Sequence, residues 1–285
     1  MTRSSETSSS QQTILITGCS SGIGLDTALR FRDMGWRVLA TCRQEKDCAA
    51  LIKQGVISFV LDYEDEASIE NGFKEAMRQS EGRIDVLFNN GAYAIPAAVE
   101  DVPTAALRQI FEANFFGWHH LTRLVLPVMV AQGQGRIIQN SSVLGFAAMR
   151  MRGAYNATKF ALEGLTDTMR LELVGTGVEM ILVEPGPIRT RIRENGYENF
   201  KTWITWRGTR LERLYEKALI PRLSAVNPPR DTFELMPDAV TDAVVHAATS
   251  SKPRIRYRVT TATKLMAFFK RITTSRRFDR IAAKY

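Results

Sequence analysis

From residue 13 onward, short β-branched and apolar runs alternate with longer stretches in which apolar residues recur every three or four positions, the pattern of strands separated by amphipathic helices. The runs predict strands over 13–17, 36–41, 56–60, 84–88, 135–140, 178–183 and 255–259. Helical periodicity fits between them, over 22–34, 44–53, 65–79, 104–132 with a kink at Pro127, 153–174 and 238–250. Strand–helix alternation implies a mostly parallel sheet, and right-handed crossovers place helices on both of its faces. The expectation is a single α/β domain, doubly wound around a seven-stranded sheet. Residues 1–12 read as a flexible polar tail, 13–260 as the body and 261–285 as a basic amphipathic extension. One segment, 186–236, breaks the rhythm with Pro221, Pro228 and Pro229, two tryptophans and many arginines. A long irregular segment in a compact domain is usually a lid or binding loop.

Composition narrows the class. The chain has 285 residues, 45% hydrophobic and 24% charged, which argues against a disordered, collagenous or disulfide-stapled protein. No uncharged apolar run reaches the ~18 residues of a membrane span, and no apolar leader precedes residue 13, so no secretory signal is expected. Cys19, Cys42 and Cys48 are an odd count without metal or CxxC spacing, which suits a reducing compartment, the cytoplasm by default. The net charge of +8 is concentrated: residues 251–285 hold four Lys, seven Arg and one Asp, so the remaining body is close to neutral. With no helix-turn-helix, zinc or RNP spacing, nucleic acid is not an expected partner. His119, His120 and His246 have no ligand-like arrangement, and no metal is expected. In the basic extension Leu265, Phe268, Phe269 and Ile272 recur at helical spacing among Lys264, Lys270 and Arg271. Such a face either rests on an anionic membrane or packs on its own domain or a neighbouring subunit.

Directly after the first strand, Gly18, Ser20, Ser21, Gly22, Ile23 and Gly24 open a helix at the place where a dinucleotide pyrophosphate binds in doubly wound folds. Missing Cβ atoms let backbone N–H groups approach phosphate oxygens, and the helix start favours the anion. The acidic residue that usually bonds an adenosine ribose after the second strand is absent. Arg43 stands there instead, suited to clamping a 2′-phosphate, so NADP(H) is expected over NAD(H). The plainer alternative is a solvated arginine that starts the next helix.

Further along come Asn89-Asn90-Gly91-Ala92, Asn114, Asn140-Ser141-Ser142, Tyr155 with Lys159 four residues later, and the run Pro185-Gly186-Pro187-Ile188-Arg189-Thr190. With the glycine turn, this ordered set resembles the short-chain dehydrogenase/reductase family over residues 13 to about 190. Details such as the TGCSSGIG turn are similar to its 17β-hydroxysteroid and retinal reductase subgroup. The family pattern reads NNAG where this chain has NNGA. The resemblance implies a Rossmann-type fold, a nicotinamide cofactor held in part by Asn90, Gly91, Pro185, Gly186, Ile188 and Thr190, and a homodimer or homotetramer. It also implies that Tyr155 exchanges a proton with the substrate oxygen, Lys159 bonds the nicotinamide ribose, Ser142 holds the substrate, and Asn114 completes a water-linked relay. Physically, residues four apart share a helix face, and an ammonium beside a phenol is expected to lower its pKa. Each residue has a plainer reading: Ser141 and Ser142 as turn caps, Asn114 as a bond across a helix interruption, Tyr155 as core. Asp62 resembles an adenine-contacting Asp and equally fits a helix cap, while Asp85 reads as structural.

The 186–236 segment carries Tyr197, Phe200, Trp203, Trp206, Leu211, Tyr215, Leu219 and Ile220, which favours a small hydrophobic carbonyl or alcohol substrate. Its arginines either meet a carboxylate or phosphate or solubilise the outer face. The function expected is an NADP(H)-dependent oxidoreductase. The alternative is a dinucleotide-binding regulator that keeps the fold without turnover.

Overall fold

Seven strands form where the apolar runs predict them in the computed structural model, which describes residues 11–226 and 229–283, so nearly all of the expected 1–12 tail lies outside the described residues. They are β1 (Thr13–Ile16), β2 (Arg37–Cys42), β3 (Ile57–Val60), β4 (Val86–Asn89), β5 (Gly135–Asn140), β6 (Val178–Glu184) and β7 (Arg256–Arg258). All pair in parallel in the order β3-β2-β1-β4-β5-β6-β7. The chain moves outward from β1 to β3, returns to the other side of β1 as β4, and continues outward. That reversal opens a crevice at the carboxyl ends of β1 and β4, the place where such sheets take ligands.

Two-residue alternation divides the strands between two cores. Ile14, Ile16, Val38, Ala40, Val86 and Phe88 face one side, where α1 (Gly22–Asp33), α2 (Glu45–Ile52) and α10 (Asp238–Thr249) supply Phe31, Leu51 and Val244. Leu15, Leu39 and Leu87 face the other, under α3 (Glu66–Gln79), α5 (Gly117–Gln132) and α6 (Gly153–Glu172), which supply Ile69, Trp118, Leu121 and Leu162. The three cysteines are unpaired and buried.

Three expectations need correction. The helix predicted over 104–132 is α4 (Thr104–Phe111), a π-helical turn over Glu112–Phe116, and then α5. The irregularity falls at Asn114, whose side chain bonds outside the helix, and α5 runs through Pro127 to Gln132. Asp62 does not cap α3: Asp65 does, accepting from the Ala67 N–H at 2.9 Å, whereas Asp62 accepts from the Glu64 N–H at 3.0 Å in the preceding turn. Finally, the 186–236 segment is largely helical, with α7 (Ile192–Trp203), α8 (Glu212–Leu214), a π-helical turn over Tyr215–Leu219 and α9 (Ile220–Ser224). Phe200, Ile204, Tyr215, Leu219 and Leu223 are buried in a third apolar cluster, shared with Ile95, Ile110 and Tyr155, so the aromatics that break the strand–helix rhythm help to build a separate core. After β7, α11 (Thr261–Ile272) and α12 (Ser275–Ala282) form the basic extension.

Candidate active site

The crevice is lined first by the β1–α1 turn. Gly18 adopts φ +67°, a left-handed conformation that glycine tolerates, and a Cβ there would lie 2.5 Å from the Gly91 Cα. A Cβ on Gly24 would lie 2.3 Å from the Gly18 carbonyl oxygen. The turn and the end of β4 are therefore in backbone contact. Ala92 needs no positive φ, so the NNGA order closes this contact as it stands. Asn90 ties the two segments by donating to the carbonyls of Thr17 at 2.9 Å and Gly18 at 3.3 Å, and its Oδ1 accepts from Asn140 at 2.8 Å. Beneath them, the buried Tyr63 hydroxyl bridges Thr17 at 2.8 Å and Asn89 at 2.6 Å. Sequence reasoning passed over Tyr63, which carries no motif. At the helix start, Ser21 makes no side-chain cap and the first turn of α1 carries no acid, leaving its N–H groups to an anion. Ser20 and Ile23 complete this turn. The Thr190 methyl would be 3.1 Å from a Cβ on Gly22, so the segment after β6 closes over the turn.

That segment is itself anchored. Pro185 accepts from the Val143 N–H at 2.7 Å, Gly186 packs where a Cβ would meet the Thr260 hydroxyl, and Ile188 bridges Leu235. On the other flank of the crevice, Arg43 is exposed just past β2. Its charge is felt at Tyr93 together with those of Glu64 and Asp62. An uncapped helix start, a glycine cradle and a guanidinium beyond β2 fit a dinucleotide.

Tyr155 and Lys159 lie one turn apart on α6 and are both buried. Lys159 Nζ donates to the Asn140 carbonyl at 2.8 Å and stands 4.0 Å over the Trp118 ring and 5.6 Å from the centre of the Tyr155 ring. Its other N–H groups are uncommitted among the described residues. Ser142 accepts from the Leu144 N–H at 3.1 Å, capping a short turn, and its hydroxyl also reaches Tyr155. Ser142 is thus a turn cap whose hydroxyl also faces Tyr155. Electrostatics differ from expectation. Burial pushes the Tyr155 phenol well above its ordinary pKa, opposed by the Ser142 hydrogen bond and not by Lys159. Burial also pushes Lys159 down to about 7, with Glu163 pulling the other way. An ammonium this desolvated is itself poised to lose its proton, which removes the charge that was expected to acidify the phenol. Asn114 bonds the Tyr93 backbone twice, accepting from its N–H at 3.1 Å and donating to its carbonyl at 2.8 Å, and lies 3.4 Å from Thr158. This is the bond across a helix interruption. Asp85 accepts from the Thr13 N–H and from Arg83, at the opposite end of the sheet from the crevice.

The family description "short chain dehydrogenase" matches residues 12–200. An uncharacterized oxidoreductase of Escherichia coli, YbbO, is 37% identical over 271 residues, covering 95% of this chain and 94% of that protein. Retinol dehydrogenase 8 of Bos taurus is 30% identical over 264 residues, 88% of this chain and 82% of that protein. Among solved structures, a single-residue variant of actinorhodin polyketide ketoreductase with NADPH superposes with a TM-score of 0.71 at 25% identity, covering 87% of this chain and 95% of that one. The parallel order of the sheet, the glycine cradle at its reversal and these likenesses together establish that the chain belongs to the short-chain dehydrogenase/reductase family, whose members are NAD(P)-binding oxidoreductases.

Proposed function

We propose that the protein is an NADP(H)-dependent reductase of hydrophobic aldehydes or ketones, running in reverse on the corresponding alcohols, with Tyr155 as the proton donor and acceptor. The supporting observation is the buried pair Tyr155 and Lys159, with the half-buried Ser142 hydroxyl reaching Tyr155, at the crevice beside the glycine cradle. A bound nicotinamide supplies the hydride; the chain's own residues do the rest. The Ser142 and Tyr155 hydroxyls hold the carbonyl oxygen, and Tyr155 gives it a proton. The neutral phenol is the form that carries the proton to be donated. Lys159 offers its uncommitted N–H groups to the ribose while Asn140 fixes its head. Asn114 holds the 90–93 segment against α6 through Tyr93. Asn90, Gly91 and the turn from Gly18 to Gly24 cradle the pyrophosphate, Pro185, Gly186, Ile188 and Thr190 cover the nicotinamide half, and Arg43 takes the 2′-phosphate beside Asp62.

The test is NADPH oxidation over aliphatic, steroid, retinoid and sphingoid carbonyls, with NADH alongside. Tyr155→Phe is expected to lose about 10²–10⁴-fold in turnover. Unchanged turnover refutes the proton role, and a strong NADH preference refutes the reading of Arg43. Failure of the unaltered protein on every carbonyl favours the dinucleotide-binding regulator.

Two further parts of the reading concern the surroundings. Phe116, at the end of the π-helical turn that leads into α5, and Leu171 of α6 are exposed, which suits a homodimer or homotetramer through α5 and α6. The exposed apolar stripe of α11 among basic residues suits peripheral contact with an anionic membrane from a cytoplasmic, reducing compartment.

A further inference from the structure

The arginines of the 186–236 segment do not all face outward. Arg193 of α7 and Arg222 of α9 converge on one carboxylate oxygen, Oδ2 of Asp231, each at 2.8 Å. Arg152, immediately before α6 and three residues before Tyr155, is drawn into the same group. Its single hydrogen bond among the described residues goes back to the Met151 carbonyl at 3.0 Å. Two guanidiniums therefore bind one carboxylate, and a third stands within electrostatic reach of all three groups. The excess charge cannot be shed as protons, since arginine stays ionised in proteins. Burial, Arg222 and Arg193 together push the Arg152 guanidinium down to about 10, with Asp231 only partly offsetting them. The backbone is bent to place it: Met151 has φ +60°, a region that residues other than glycine seldom adopt and that clusters at functional sites.

The position relative to the site is fixed by shared packing. Tyr155, Phe200 and Leu223 are buried in one apolar cluster with Met151, Tyr197 and Ile220 partly buried against it, so the elements that carry the arginines pack on the same core as the Tyr155 ring. The stretch carrying Asp231 is tied to the loop after β6 by the Arg189 N–H to the Leu235 carbonyl at 2.9 Å and the Leu235 N–H to the Pro187 carbonyl at 3.1 Å.

We propose that Arg152, Arg193 and Arg222 form a subsite for the carboxylate or phosphate end of an otherwise apolar substrate, with Asp231 holding the arginines in place when no ligand is there. This deepens the reading above and rests on it: the substrate is amphipathic, with its carbonyl at Tyr155, its chain along the partly buried Met151, Tyr197 and Ile220, and its anion at the guanidiniums. Planar, multidentate donors at the edge of an apolar surface recognise such a group.

The test uses the full chain saturated with NADP+ and follows the fluorescence of Trp203 and Trp206 on addition of dodecanoate, dodecyl phosphate or dodecanol. Both anions are expected to bind at least about ten-fold more tightly than the alcohol, and the tighter of the two identifies the group. Arg222→Gln is expected to remove that advantage and Asp231→Asn to increase it, opposite signs that general damage to the segment does not produce. Arg210→Gln, on an arginine paired with Glu100 at the outer surface, should change nothing. In turnover, ω-oxododecanoate should be preferred over its methyl ester, with the preference lost in Arg222→Gln. Equal binding of all three probes, an anion affinity that does not rise in Asp231→Asn, or an NADPH affinity that falls in Arg222→Gln as far as anion affinity does, overturns the proposal. If the binding pattern holds while neither aldehyde is reduced, the anion subsite stands and the proposed reaction fails.

Discussion

Lys159 illustrates how one residue couples stability to the site. Its folded pKa is about 7 against an ordinary 10.5, so between those values the unfolded chain holds a proton that the folded one does not. Stability from this group therefore rises with pH across that window, approaching about 1.4 kcal/mol per pH unit. Tyr155 works the other way only near and above its ordinary value of 10, where the unfolded phenol ionises and the buried one resists. Urea denaturation of the cofactor-free protein at pH 7 and pH 9 should show Lys159→Met losing this upward slope relative to the unaltered chain; parallel slopes would mean that the lysine titrates normally. The glycine cradle makes a second claim at this scale. Gly24→Ala puts a methyl into the Gly18 carbonyl oxygen, backbone that cannot swing aside. NADPH affinity, read by fluorescence titration, should fall at least about ten-fold, whereas Gly35→Ala, which meets no neighbour, should leave it alone despite backbone strain at φ +79°.

At the scale of elements, strands and helices with a clear period were legible, because their burial follows directly from spacing two or spacing three and four. The exceptions are places where side chains override the period. Asn114 inserts an irregular turn into a helix that periodicity alone would run straight through, and its signal in the sequence is only a polar residue on a buried face. Pro127 looked like the interruption, yet a missing N–H inside a packed helix was absorbed without ending it. The 186–236 segment read as loop because prolines and arginines mask short helices whose apolar residues pack on one another rather than on the sheet. Tyr215 is the pin of that unit: its hydroxyl accepts from the Ala98 N–H at 2.9 Å and donates to Asp101 at 2.6 Å. Tyr215→Phe leaves a buried N–H without its acceptor, a cost of about 1–3 kcal/mol. Carbonyl KM should rise in this variant while NADPH affinity holds; an equal effect on both would show that the segment and the cofactor cradle move as one unit.

For the whole molecule, the glycine turn, Asn90, Ser142 and the 185–190 run each follow a strand end, where a fold of this order brings them together, while Tyr155 and Lys159 approach from α6. What spacing did not reveal is which surface the basic extension presents. In the structure α11 is tethered by Thr263, packed at Gly186, and by Lys270, which reaches the Phe146 carbonyl and lies 5.2 Å over the Phe160 ring. The tether leaves Leu265, Phe268 and Ile272 exposed at 41%, 56% and 60%, beside Lys264 and Arg271, with Arg276, Arg277 and Arg280 following on α12. No helix among the described residues is long and apolar enough to cross a membrane. Each basic residue near an anionic surface is worth about 1 kcal/mol and weakens with salt, while apolar insertion does not. The full chain should therefore sediment with vesicles containing phosphatidylserine, less at raised ionic strength, and hardly at all with neutral ones. Phe268→Asp, at an exposed position, should abolish sedimentation without lowering thermal stability. If that variant instead binds vesicles as before and shifts to a smaller assembly in light scattering, the stripe is a contact between subunits and the membrane reading fails.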